Sequence, residues 1–229
     1  MTMGMWMPWH PERWFGIALC MGLALPLGGV LLHAAHRLAE ALEAGSVLPG
    51  AGPGRRRILA IWWTGALALA AACGGCFGAT PAALAATGCV LVLWTLAWID
   101  GRTGLLPDGL TLPLLWAGLL VNLDDTFAFL PDAVLGAVAG YLCLWTLYLV
   151  FLRLTGREGM GYGDFKLTAA LGAWLGWQAL PGILLSASLG GLCFAVWLRA
   201  TGRAGAGQHL VFGPWLALAG AWALLGPQL

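Results

Sequence analysis

Residues 58–99 contain no Asp, Glu, Lys or Arg. Away from water, the backbone polar groups of so long an apolar run can be satisfied only inside helices or a closed barrel. The run is interrupted at residues 78–81 by Gly-Ala-Thr-Pro, leaving two pieces near the roughly 20 residues that cross a bilayer core. The rest of the chain repeats this pattern. Of its 229 residues, 60% are hydrophobic and 9% charged, against about 25% charged in soluble domains. The expected fold is all-α, a polytopic membrane protein whose main partner is the lipid bilayer. A net charge of +1 without a basic stripe argues against nucleic acid.

Eight apolar stretches are expected as helices, at 14–36, 58–77, 82–99, 110–123, 132–152, 165–177, 179–198 and 211–226. The fourth and sixth are short, so their neighbours should shield them. No basic n-region or A-x-A site precedes 14–36, which reads as a retained span rather than a signal peptide. Residues 1–97 form an N-terminal set of three helices with a short Gly- and Pro-rich loop at 38–57. Residues 98–229 form a second region.

Lys and Arg gather on the cytoplasmic side of short loops. With the N-terminus outside, Arg37, Arg55, Arg56, Arg57, Arg102, Arg153, Arg157, Lys166, Arg199 and Arg203 all fall inside. They are ten of the 11 basic residues, leaving Arg13 outside. Asp124, Asp125 and Asp132 then mark an acidic outer loop.

The six cysteines lie in apolar runs and read as packing residues. Cys73-Gly-Gly-Cys76 has the spacing of a metal knuckle but no second pair. His33 and His36 are three residues apart on one helix, with no carboxylate or thiol of that segment to complete a site. No metal is expected.

Ionisable groups at a membrane boundary are costly and are functional candidates by default. Asp100 closes the third stretch and Asp164 opens the sixth, both on the inner face. Two carboxylates brought together in a poorly hydrated site cannot both ionise easily, so one retains its proton. Such a pair can activate water while protonating a peptide carbonyl and then the leaving amine. Gly161 and Gly163 remove side chains just ahead of Asp164. They allow positive φ and close approach of a substrate chain, and are the candidate substrate-binding residues. The macrodipole at a helix N-terminus favours an ionised Asp164. Asp164 as a plain N-cap, with the glycines as a turn, is the alternative, and the second aspartate argues against it.

The stretch 98–122, WIDGRTGLLPDGLTLPLLWAGLLVN, resembles the first aspartate segment of the prepilin peptidases, or type IV leader peptidases, which are GxGD intramembrane aspartyl proteases. Residues 156–181, GREGMGYGDFKLTAALGAWLGWQALP, resemble the second, with Gly161, Gly163 and Asp164 as GxGD. Phe212-Gly213-Pro214 is similar to the C-terminal pattern. The resemblance implies eight membrane helices in the bacterial inner membrane and a site facing the cytoplasm. It implies Asp100 and Asp164 as the catalytic pair, with no cofactor for peptide cleavage. The implied substrates are prepilins and pseudopilins of type IV pili and type II secretion, cut after a glycine between a basic leader and an apolar helix.

The N-terminal half departs from the family. The loop holds no cysteine, whereas many bifunctional relatives bind zinc there through two CxxC pairs. Gly28-Gly29, Leu32 and His36-Arg37-Leu38-Ala39 stand where the first-helix signature has Ser, Asn and Pro. S-adenosylmethionine is therefore implied only if N-methyltransferase activity is retained. Asp108, the rival to Asp100 for a catalytic role, reads as a loop residue ordering its segment. Glu158 and Lys166 read as solvated groups flanking the motif, with tuning of the aspartate pair or contact with substrate as the alternative. The competing functions are a proton- or cation-coupled transporter and a catalytically inactive assembly protein.

Overall fold

The computed structural model describes residues 11–41, 53–156, 160–202 and 211–226. Among them are eight α-helices and no strand: α1 (Pro11–Ala41), α2 (Pro53–Phe77), α3 (Pro81–Thr103), α4 (Asp108–Val121), α5 (Leu130–Thr155), α6 (Tyr162–Leu175), α7 (Leu180–Ala200) and α8 (Gly213–Leu225). Among the described residues, five segments are long and apolar enough to cross a membrane: Glu12–Leu38, Arg56–Phe77, Pro81–Thr103, Leu130–Thr155 and Trp177–Ala200. α4 and α6, 14 residues each, reach only about 21 Å at 1.5 Å per residue.

The chain divides into two compact units, residues 1–34 with 48–91 and residues 35–47 with 92–229. In the first, helices pack through small residues. Cys20 and Ala24 of α1, Trp62, Ala66, Ala70 and Cys73 of α2, and Ala83, Ala86 and Val90 of α3 are all fully buried. The spacing of three to four keeps each set on one helical face. A Cβ on Gly74 would strike the backbone of Gly16, a close approach typical of apolar helices that pack without a hydrophobic drive from water. The breaks expected at 78–81 are real. Gly78 takes φ +66 and ends α2, and Thr80 Oγ1 accepts the Ala83 N–H at 3.2 Å to cap α3, with Pro81 at its first position.

In the second unit α6 packs against α4, α5, α7 and α8. Every residue from 164 to 174 except Lys166 is buried, so the sixth helix is shielded as expected. α4 is shielded on one side only: Leu110, Thr111, Leu114 and Gly118 are buried, while Leu112, Trp116 and Leu120 are exposed. α5 and α6 meet backbone to backbone, since a Cβ on Gly172 would collide with the Gly136 carbonyl and one on Gly140 would come within 2.8 Å of the Thr168 oxygen. At the far end of α4, Asn122 is fully buried. Its Nδ2 donates to the carbonyls of Ala173 (2.9 Å) and Trp174 (3.0 Å), and its Oδ1 accepts from the N–H groups of Phe127 (3.0 Å) and Ala128 (3.2 Å). One amide thereby ties α4, α6 and the loop before α5 together.

Candidate active site

α3 stops one turn after Asp100. Gly104 adopts φ +67 and its N–H donates to the Asp100 carbonyl at 2.8 Å, a left-handed cap that leaves the Asp100 side chain in the last turn. The chain then passes through Leu105 and Leu106 to Pro107, whose carbonyl accepts the N–H of Leu110 (3.0 Å) and Thr111 (3.2 Å) to begin α4. Leu106 is the wedge of the site. A Cβ on Gly163 would lie 2.6 Å from Leu106 Cβ, and one on Gly213 would lie 3.2 Å from Leu106 Cδ1 while running into the Asp100 carboxyl. Leu106 fills the space beside Gly163, and the Asp100 carboxyl together with Leu106 fills that beside Gly213.

Asp164 sits in the first turn of α6, behind Gly161 as N-cap. The Gly161 N–H interacts with the Asp164 carboxylate, the reciprocal half of a capping box. Thr168 Oγ1 donates to the Asp164 carbonyl at 2.8 Å. Only 7% of Asp164 and 4% of Asp100 remain exposed. The peptide N–H of Gly213, at the start of α8, interacts with Asp100, whose Oδ2 is buried with no hydrogen-bond partner among the described residues. Burial first, and then the adjoining Asp100 charge, push the Asp164 carboxyl up to about 7 against the opposing effect of the Gly161 amide. The helix N-terminus expected to favour ionisation is thus outweighed by loss of solvent.

The two aspartates line one cleft of about 710 Å³, together with Leu105, Leu106, Asp108, Met160, Tyr162, Lys166 and Phe212. The sequence pairing of Asp100 and Asp164 across 64 residues is therefore a spatial one. Gly161 and Gly163 also line the cleft, but neither takes positive φ. Gly161 is extended at φ −77 and Gly163 is helical, so what demands glycine at 163 is contact with Leu106. Asp108 is the first residue of α4 rather than a loop residue. Lys166 is not simply solvated: its Nζ donates to Asp108 Oδ1 at 2.6 Å and Oδ2 at 2.7 Å. Tyr162 contacts the Tyr148 hydroxyl through its own, at 3.2 Å. Asp132, in the first turn of α5 rather than in a loop, accepts from Trp177 Nε1 (3.0 Å) and Gln178 Nε2 (2.9 Å). Glu158 lies outside the described residues. Cys73 is buried and Cys76 exposed, and His33 is exposed on α1.

The family model for the type IV leader peptidase family matches residues 87–196, a range that takes in Asp100, GxGD and the link between α3 and α4. Over residues 87–196 the chain is similar to the type IV leader peptidase family. Similar proteins agree with this. The chain is 58% identical over 144 residues to a prepilin leader peptidase/N-methyltransferase of Dickeya chrysanthemi, covering 63% of this chain and 51% of that protein. It is 54% identical over 157 residues to one of Burkholderia pseudomallei strain K96243, covering 69% and 51%. It is 67% identical over 97 residues to one of Klebsiella pneumoniae, covering 42% of each. The chain spans about half the length of the curated relatives it matches. No solved structure matches it.

Residues 87–196 also contain side chains that pattern reading passed over. Leu106 carries no chemistry, and only its place between Gly104 and Pro107 hinted at a fixed link. Asn122 was visible as a lone amide ending an apolar helix, a position where a buried polar group needs partners.

Proposed function

We propose that this chain is an intramembrane aspartic endopeptidase that removes leaders from prepilins or pseudopilins, cutting after a glycine between a basic leader and an apolar helix. The observation that carries the reading is the meeting of two buried carboxylates, Asp100 and Asp164, in one cleft of a leader peptidase region. The pair shares one proton and titrates as a unit. Its ionised member takes a proton from water as the water oxygen attacks the scissile carbonyl, and its protonated member gives a proton to the carbonyl oxygen. The aspartate that took the water proton then gives it to the nitrogen as the C–N bond breaks, and the other takes a proton back from a gem-diol hydroxyl, which restores the pair. No covalent intermediate is needed. The raised carboxyl of Asp164 supports a protonated partner near neutral pH.

Eight membrane helices, both ends outside, would place this cleft at the cytoplasmic face of the bacterial inner membrane. Ten of 11 basic residues on that side support the orientation. A substrate with a charged leader and an apolar helix presents its junction at the same depth. Both buried carboxylates lie near helix ends, α3 and α6, which supports a surface-facing peptidase over a relay crossing the bilayer. Methylation of the new N-terminus would require S-adenosylmethionine, and none of the residues described is assigned to it.

The test is co-expression with a prepilin. Asp100→Asn and Asp164→Asn each abolish cleavage while the protein stays folded in the membrane, and full processing by either variant overturns the assignment. The mass of the mature pilin N-terminus, with the wild-type enzyme alone, decides methylation.

A further inference from the structure

Asp100 and Asp164 each have a cation two residues downstream, Arg102 after Asp100 and Lys166 after Asp164. Neither cation is spent on its aspartate. The Arg102 guanidinium carbon lies 5.0 Å from the centre of the Trp98 ring, a cation–π contact. The Lys166 ammonium is held by both oxygens of Asp108, at 2.6 and 2.7 Å, from the start of another helix. We propose that Asp108 is a positioning residue that holds the Lys166 charge away from Asp164, so that the aspartate pair keeps its shared proton. The inference rests on the peptidase reading above.

The pair is poorly placed to serve stability. The two side chains are 28% and 56% exposed, and ion pairs of that kind contribute only about 0–1 kcal/mol. Its location is more telling, because Asp108, Lys166 and both buried aspartates line the same cleft. An ammonium within about 4–6 Å of a carboxylate favours the ionised form. Lys166, released from Asp108, is the cation of this cleft able to do that to Asp164. Of the elements packed on α6, α4 offers Asp108, α5 carries Asp132, Tyr141, Cys143, Tyr148 and Arg153, α7 carries Cys193 and Arg199, and α8 has no titratable side chain. Of these groups Asp108 alone lines the cleft. Asp100 reaches Asp164 from α3, and Tyr162 from its own helix shares the cleft.

The experiment compares wild-type, Asp108→Asn, Lys166→Met and the double variant, each as the full chain in detergent micelles. Cleavage of a purified prepilin is followed from pH 5 to 9. Asp108→Asn should move the basic limb of the profile about one pH unit toward acid, a roughly tenfold loss on that limb. Adding Lys166→Met should return the limb to its wild-type place, and Lys166→Met alone should leave it there. A wild-type limb in Asp108→Asn, or a loss equal at every pH that Lys166→Met does not rescue, overturns the proposal. Asp108→Ala serves if the Asn variant does not fold. The protonated-carboxyl infrared band that Asp164→Asn removes is titrated in the same four proteins. It should shift and return in parallel, and a band unmoved by Asp108→Asn overturns the proposal. Because this band does not depend on turnover, a wild-type protein that fails to cut prepilin would refute the peptidase reading without deciding the role of Asp108.

Discussion

Gly213 rests on the carboxyl group of Asp100 so closely that no methyl group fits between them. The contact fixes the start of α8 against the end of α3 and leaves Asp100 Oδ2 buried without a partner among the described residues. Gly213→Ala should therefore displace the carboxyl. A displacement near 1 Å costs about 100-fold in rate when reacting groups must align. Prepilin cleavage should fall by about that factor while thermal unfolding in detergent changes little by comparison. Wild-type cleavage by Gly213→Ala would refute this account of the contact.

Gly163 makes a parallel case with a different neighbour. A Cβ there meets Leu106 Cβ at 2.6 Å, so Gly163→Ala should lower both stability and cleavage. Leu106→Ala removes the obstructing side chain beyond Cβ, and the pair in contact should be non-additive by about 0.5–3 kcal/mol. A double-mutant cycle on unfolding free energy measures this directly, and strict additivity would rule it out.

Asp164 makes stability depend on pH. Its carboxyl stands at about 7 in the fold against an ordinary 3.8, with burial as the main cause. Between those values the folded chain holds the proton more firmly than the unfolded one, so the stabilisation is complete below about 4 and is lost as pH rises through about 7. Asp164→Asn escapes that loss. Its unfolding midpoint should exceed that of the wild type by several degrees at pH 8, with the gap narrowing at pH 5. An equal gap at both would exclude the linkage.

Asn122 should matter for folding and not for chemistry. Asn122→Leu leaves the N–H groups of Phe127 and Ala128 and two carbonyls of α6 without their partner. Each unsatisfied buried group costs about 1–3 kcal/mol. The yield of folded protein should drop sharply, while cleavage per folded molecule stays near wild type. A variant as stable as the wild type would contradict the bonding described.

The helices were legible because charge and Gly-Pro breaks punctuate the apolar runs: the expected 82–99, 132–152 and 179–198 lie within Pro81–Thr103, Leu130–Thr155 and within two residues of Leu180–Ala200. Asp100 and Asp164 were legible because acids are rare and costly beside such runs. The conformations of Gly161 and Gly163 were not. A glycine is equally suited to a left-handed turn and to a crowded contact, and only the position of Leu106 separates the two. The Asp108–Lys166 pair was hidden for a related reason, since it joins residues 58 positions apart and depends on how the link after Gly104 turns.

The main-chain contact of Gly136 with Gly172, and of Gly140 with Thr168, leaves no side-chain cushion between α6 and α5 at those two points. Side chains can adopt other rotamers to absorb a strain, but peptide groups in direct contact cannot. The location of Asp164 is accordingly inherited from the main chain itself. A methyl group added at 136 or 172, far along the helix from the cleft, should be felt there as a shift in register of the entire rod.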